Sequence, residues 1–377
     1  MAYTNIDNGE EKFLSYLYTG TGNTGSNRAL TFNGSVDLKP GQIWMAKRST
    51  TTANMHNILE TEYHGAGYHW LATNSNGLTG PNEGNCDSFD SNGITLDTTN
   101  QGSYYHNENN IEYVVWAFAE IGGSPVTNTD GDITSSVLAD QSVGMSYVHW
   151  SGNSTNNQTI GHGLGKRPRL IQVFQDTNVN VHTDRPYWWD ANSFNHVIRN
   201  RVNAAGNTES DSAFGRVGAF DDGSQGTSSI FTVFSGSSSY EATNQTGYDY
   251  LAICHTDVQG FKKIGDYIGN GSTNGTFVYC GFKPALIWIR PMNRTGYTLG
   301  FDNARNPDNR DSGEAIGMAG ASNTAVSDAN TKIDILSNGF KWRTTGSNFN
   351  ESGIRYAFFA VAESPFTTST GIPTTAR

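Results

Sequence analysis

Arg185-Pro-Tyr-Trp-Trp-Asp190 is the stretch of this chain best equipped for recognition chemistry. Three adjacent aromatics on a strand must point both ways, so at least one of them faces out. An outward Tyr187, Trp188 or Trp189 beside Asp184, Arg185 and Asp190 suits a sugar. The ring stacks on the apolar C–H face while the charged groups take the hydroxyls. The same residues also suit a plug between domains or subunits, the plainer of the two readings, and both stay open. Tyr68-His-Trp70 and Tyr104-Tyr-His106 repeat the theme more weakly.

Residue types that carry catalysis or metal binding are present, but in poor spacing. His162 lies between two glycines, which would let a ligand approach the backbone closely. The matching slot further along the chain holds Phe282, and a position that takes either His or Phe is a packing plug before it is a base or a ligand. His56, Glu60, Glu62, His64 and His69 offer zinc donors. Their spacing matches no short metal motif, and on a strand Glu60, Glu62 and His64 form a polar solvent face. Asp221-Asp222 and the pair Asp87 and Asp90 offer carboxylates to a glycosidase. That chemistry needs two carboxyls about 5 to 9 Å apart across a sugar, which sequence neighbours seldom provide. Gly-x-Ser-x-Gly, His-Glu-x-x-His and phosphate-loop motifs are missing. The reading is of a non-enzyme with no catalytic residue, no metal and no cofactor.

The elements that must position these residues come three times over. Tyr18-Thr-Gly-Thr-Gly22, Trp150-Ser-Gly-Asn153 and Tyr267-Ile-Gly-Asn-Gly271 open each copy. A Lys/Arg-Pro corner at Pro40, Pro168 or Pro284 then aims an apolar strand, as in Ala285-Leu-Ile-Trp-Ile-Arg290. That strand is nearly all apolar, so both of its faces must be covered. A Ser/Asn-Gly turn leads into Asn92-Gly-Ile-Thr-Leu96 and Asn338-Gly-Phe-Lys-Trp342, whereas the second copy offers Ile230-Phe-Thr-Val-Phe-Ser-Gly236 without that turn. Glu112-Tyr-Val-Val-Trp-Ala-Phe118, Asp249-Tyr-Leu-Ala-Ile-Cys254 and Arg355-Tyr-Ala-Phe-Phe-Ala-Val361 close the copies. Short runs of Val, Ile and aromatics between Gly, Asn and Asp are strand grammar, and recurrent Asn-Gly pairs make hairpin turns. Helix is confined to short turns at most, with Ser210 to Phe214 and Ala321 to Ala329 as the candidates. The expectation is an all-β protein of three tandem antiparallel β-sandwich modules of jelly-roll or lectin-like form. Their bounds are 1–121, 143–259 and 260–377, with 122–142 as a linker that adds an edge strand and turns at Asp130-Gly131. The short joint at His255 to Gly260 predicts close packing of the second and third modules, and the polar linker a looser angle for the first.

Composition supports the same class. The chain has 377 residues, 43 of them Gly, with 16% charged and 12% aromatic residues and a net charge of −11. Acidic balance disfavours nucleic acid and anionic membrane as partners. Cys86, Cys254 and Cys280 are odd in number and unpaired in spacing, so they read as small buried hydrophobes. The first residues lack the basic and apolar regions of a signal peptide, and no run reaches the length of a membrane span.

Asn128-Thr-Asp-Gly-Asp-Ile-Thr-Ser-Ser-Val137, Ser146-Tyr-Val-His-Trp-Ser-Gly-Asn153 and Thr159-Ile-Gly-His-Gly-Leu-Gly165 resemble a repeat of bacteriophage tail and virion structural proteins, marine phages above all. Gly281-Phe-Lys-Pro-Ala-Leu-Ile-Trp-Ile-Arg290 with Tyr297-Thr-Leu-Gly-Phe-Asp-Asn-Ala-Arg305 looks like its fuller version. The likeness runs over roughly residues 13 to 366. It implies a virion protein made in the host cytoplasm, with lectin-like modules and no catalytic residues to carry over. The partners it implies are other virion proteins and a host surface glycan, in a tail fibre or tail-associated adhesin. Capsid decoration or tail connection by protein contacts alone, in a homo-oligomer such as a trimer, is the second reading. Glycan hydrolysis is the third.

Overall fold

A computed structural model describes residues 4–22, 25–48, 55–59, 69–72, 78–79, 86–96, 106–175, 184–191, 194–201, 208–210, 226–235, 243–292, 298–309, 314–319, 325–327 and 332–374. The regular secondary structure of the described residues is antiparallel strand, about half of the chain, apart from one turn of 3-10 helix at Gly9–Glu11. The first stretch of chain contributes β1 (Phe13–Thr19), β2 (Arg28–Thr31), β3 (Pro40–Lys47), β4 (Met55–Leu59), β5 (His69–Ala72), β6 (Leu78–Thr79), β7 (Cys86–Asp90), β8 (Gly93–Leu96) and β9 (Glu112–Ala119). The second contributes β10 (Val126–Asn128), β11 (Ser135–Asp140), β12 (Met145–Ser151), β13 (Gln158–Gly161), β14 (Leu170–Gln175), β15 (Asp184–Ala191), β16 (Phe194–Arg201), β17 (Thr208–Ser210), β18 (Ile230–Val233) and β19 (Asp249–His255). The third contributes β20 (Lys262–Ile268), β21 (Phe277–Tyr279), β22 (Phe282–Pro291), β23 (Thr298–Asp302), β24 (Glu314–Ala319), β25 (Ala325–Ser327), β26 (Ile333–Leu336), β27 (Gly339–Trp342) and β28 (Arg355–Pro365).

Each stretch forms one large and one small sheet, and the large sheets share a plan. Their orders are β1-β9-β3-β4-β5-β6, β12-β19-β14-β15-β16-β17 and β20-β28-β22-β23-β24-β25. The second sheet is extended at its first edge by β11 and β10, so the segment between stretches supplies an edge hairpin around Asp130-Gly131. The small sheets are β2-β8-β7, β13-β18 and β21-β27-β26. The hairpins at Asn92-Gly93 and Asn338-Gly339 close β7–β8 and β26–β27, while β18 pairs with β13 alone among the described residues. Pro40 and Pro284 sit at register shifts where β3 and β22 begin to pair, as an imino residue without a donor requires. The helical turn expected over Ala321 to Ala329 does not form where the chain is described. Ala325–Ser327 instead pair as β25 with β24, and Thr208–Ser210 pair as β17, because neighbouring strands offer a ladder that outweighs weak local preference.

A polar clamp recurs at the same place in each stretch. Asn107, Asn244 and Asn350 are buried and lie six residues before Tyr113, Tyr250 and Tyr356. The side-chain oxygen of each accepts from a backbone N–H in the opening loop, at Thr21, Asn153 and Asn270, over 3.1 Å in every case. Each amide group donates back to that loop, to the carbonyls of Gly22, Thr155 and Ser272. The three tyrosine hydroxyls accept from the N–H of Glu108, Gln245 and Glu351 at 2.9, 3.0 and 3.0 Å. Their rings stack on Tyr18, Trp150 and Tyr267 with centroids 5.0, 5.4 and 5.2 Å apart. Gly20, Gly152 and Gly269 complete the clamp, since a Cβ there would lie 2.0 to 2.3 Å from a backbone carbonyl oxygen.

The large sheets are covered on both faces. One face packs on the small sheet of its own stretch: Leu14, Ile43, Met45, Val115 and Ala117 share a cluster with Leu30, Phe89 and Ile94. Val148, Ile171, Ala252, Ile160 and Phe231 form the counterpart in the second stretch. The other face meets the other two large sheets. Trp44, Trp116 and Phe118 of the first, Tyr147, Leu251 and Ile253 of the second, and Trp288, Phe359 and Val361 of the third belong to one buried cluster. Trp44 packs edge-on against Trp288 at 5.3 Å, and Tyr147 Oη lies 3.3 Å from Gln42 Oε1. The first stretch is therefore not at a loose angle. A polar linker tells nothing of the sheet face behind it, and that face is built of tryptophan.

Candidate functional site

The alternation of β20 and its equivalents shows where the third stretch departs from the other two. Pairing aligns Leu14 with Ala117, Ser146 with Cys254 and Lys263 with Ala360. It aligns Tyr16 with Val115, Val148 with Ala252 and Gly265 with Phe358. Leu14 and Tyr16 therefore correspond to Lys263 and Gly265. An apolar seal between two sheets becomes a charge and a gap. A Cβ on Gly265 would meet Phe358 Cε1 at 2.9 Å, so the phenyl ring rises from below to floor the gap.

The opposite wall is β21, an edge strand of the small sheet. Its Val278 is buried, whereas Phe277 and Tyr279 stand 44% and 57% exposed. Their counterparts by pairing, Ala29 and Thr31, are small. β20 and β21 thus bound an open groove of about 270 Å³, entered also by Arg169 of the second stretch. Charges line its rim. Lys263 Nζ lies 2.8 Å and Arg169 Nη1 3.8 Å from Asp257 Oδ2, and the other Asp257 oxygen accepts from the Ile264 N–H at 2.8 Å. Asp266 pairs with Arg355. An aromatic wall next to fixed cations and carboxylates is the chemistry that holds a sugar: ring stacking for C–H faces and bidentate polar groups for hydroxyls. Sequence reading passed over this groove. The available signal was the absence of a large side chain at Gly265, together with exposed aromatics at alternate positions in Phe277-Val-Tyr279.

The residues singled out from sequence lie elsewhere. Asp184, Arg185, Tyr187, Trp188, Trp189 and Asp190 all fall in β15, whose backbone pairs Tyr187 with Gln172, Trp188 with Ile171 and Trp189 with Leu170. Its other neighbour is β16. Their side chains lie outside the described residues, as do those of His56, His69 and Trp70. Glu60, Glu62, His64, Tyr68, Tyr104, Tyr105, Asp221 and Asp222 lie wholly outside them. Asp87 accepts from Asn27 at 2.8 Å, and Asp90 takes the hydroxyls of Ser88 and Thr95 at 2.7 and 2.9 Å, so both serve turns. His106 is buried, and its carbonyl accepts from the Tyr18 hydroxyl. Among the described residues no three or more His, Cys, Asp or Glu side chains are grouped to hold a metal ion. All three cysteines are free and buried, and burial pushes each thiol up.

His162 is fully buried, as is Phe282 at the matching corner. Its Nδ1 accepts from the Leu164 N–H at 3.2 Å, so Nε2 carries the proton and faces the Thr227 carbonyl at 3.3 Å. Burial is the main cause that lowers its pKa to about 4. The imidazole stays neutral in the fold and protonates in the unfolded chain below about pH 6.5. Stability that is complete above that pH therefore drains as pH falls toward 4. Urea titrations of wild type and His162→Phe at pH 7 and at pH 4.5 should show an extra loss of about 2–3 kcal/mol in the wild type alone. Equal losses would contradict the burial of a neutral imidazole.

One family model matches this chain, over residues 9–365, and is described as a domain of unknown function, DUF7483. No curated protein and no solved structure matches it.

Proposed function

We propose, for a chain that belongs to the DUF7483 family over nearly its whole length, a role as a bacteriophage virion surface protein that contacts host glycans from the tail. In this reading the three stretches are tandem lectin-like or jelly-roll sandwich modules, 1–121, 143–259 and 260–377. Residues 122–142 close the edge of the second. The observation that carries the proposal is the groove between β20 and β21, lined by exposed Phe277 and Tyr279 together with Lys263, Arg169 and Asp266. Sugar binding suits this mixture, and the other two stretches lack it: Leu14 and Tyr16, or Ser146 and Val148, stand where Lys263 and Gly265 stand, and Ala29 and Thr31 where Phe277 and Tyr279 stand. The resemblance of the repeat to phage tail and structural proteins supplies the setting. Arg185 to Asp190 is kept as a second candidate contact.

A second reading rests on a different observation. Three large sheets packed back to back around one core give a single chain a near-threefold plan, which would suit a three-fold position on a capsid. Hydrolysis is the weakest reading, because Asp257 and Asp266, the carboxylates at the groove, are both engaged in ion pairs. Antibody labelling of purified particles tests the proposal. Label at the distal tail supports the adhesin, label on the head favours the decoration reading, and particles without the protein would overturn both.

A further inference from the structure

The junction where the three large sheets meet contains hydrogen-bonding atoms that the protein itself does not satisfy. Trp44, Gln172 and Trp288 occupy one equivalent position, opposite Trp116, Ile253 and Phe359 in their ladders. Each is 1% exposed, as is His255 on the neighbouring strand β19. Among the described residues, Trp44 Nε1, Trp288 Nε1, His255 Nε2 and both amide atoms of Gln172 find no hydrogen-bond partner. The residues share one packed region. Trp44 touches Trp288 at 5.3 Å between centroids, Trp288 stacks on Phe359 at 4.7 Å, and Phe359 meets His255 at 5.1 Å. Gln172 joins them through its pairing with Ile253, a member of the same cluster.

Magnitude decides what this means. An unmet buried polar atom costs a factor of about 5 to 150 in the folding equilibrium. Five of them would consume most of the stability of an ordinary domain. Trp116 shows the alternative within the same junction, since its Nε1 donates to Asp302 Oδ2 at 2.9 Å. The unmet set is also lopsided. Lys262 Nζ lies 3.4 Å from His255 Nδ1, and with an ammonium there Nδ1 accepts and Nε2 carries the ring hydrogen. Two indoles, that imidazole and the Gln172 amide thus offer donors, against a single acceptor, Gln172 Oε1. The guest that fits is small, buried and rich in acceptor lone pairs.

We propose that this junction encloses ordered water, held by Trp44, Trp288, His255 and Gln172 as a permanent part of the three-sheet core. The water bridges sheets drawn from all three stretches, and so ties their relative register to polar groups as well as to apolar contact. The proposal is independent of any glycan role.

A high-resolution crystal structure of the full chain should show water within hydrogen-bond distance of Trp44 Nε1 and Trp288 Nε1. A dry contact, or a bound ion at that place, would overturn the proposal. Gln172→Met supplies a second reading, because it keeps the side-chain length and removes both polar atoms. Hydrated, the junction loses a water partner, and the folded-to-unfolded ratio should fall about fivefold or more. A dry junction sheds two unmet atoms instead, and a ratio that is unchanged or raised would overturn the proposal. If this variant does not fold, the crystallographic result alone decides.

Discussion

Asp302→Ala should destabilise the chain by about 3–5 kcal/mol. Asp302 is wholly buried beside Arg305, whose Nε it holds at 2.5 Å. Arg305 in turn lies over the Trp116 ring at 5.6 Å and donates to the Gly300 carbonyl at 3.0 Å. Trp116 also donates to Asp302. Removing the carboxylate takes from a buried guanidinium and a buried indole N–H the acceptor they share. The loss falls on the contact between the first and third stretches, since Trp116 lies on β9 and Asp302 on β23. Gly300 explains how close that contact is: a Cβ there would sit 2.3 Å from Trp116 Cη2. Urea unfolding followed by far-ultraviolet dichroism checks the figure. A loss under about 1 kcal/mol, the usual worth of an exposed ion pair, would contradict the burial of this one.

Trp288→Ala should cost a similar amount, about 3–5 kcal/mol, through the cavity it leaves. Trp288 is 1% exposed and touches Trp44, Trp116 and Phe359. The informative part is where the loss appears. If the three large sheets share one core, the first stretch loses stability along with the third, and unfolding shifts as one transition. A first transition that keeps its wild-type midpoint while another moves would separate the stretches and contradict the shared core.

Much of this architecture was legible in the residues. Runs such as Ala285 to Arg290 had no polar alternation, which is how a strand covered on both faces must look. Asn-Gly at 92–93 and 338–339 marked the two hairpins, and Pro40 and Pro284 marked strand entries. The substitution of Phe282 for His162 pointed to a packing position, and both side chains are buried at matching corners. The clamp built on Asn107, Asn244 and Asn350 carried a readable signature, an Asn-Glu/Gln pair ending five residues before a Tyr. It went unread because Asn is common at turns for local reasons. The placing of the first stretch was misread. Trp44 and Trp116 looked like ordinary strand residues, and only the assembled sheets reveal that they face a core shared with Trp288. The groove escaped for a related reason. Its defining feature is a missing side chain, Gly265, where the other copies have Tyr16 and Val148, and absence is weighed only once the strands are aligned by their pairing.

The proposed glycan contact lies on the third stretch, where the repeat is broken. The most direct measurement is a glycan array probed with wild-type protein and with Phe277→Ala combined with Tyr279→Ala. Both side chains are substantially exposed, so the variant should keep its fold. The expected result is defined glycan hits for the wild type and at least a tenfold weaker signal for the variant, about 1.4 kcal/mol or more of lost stacking. A wild type that binds no glycan, or hits that survive this variant and disappear with Trp188→Ala and Trp189→Ala, would contradict it.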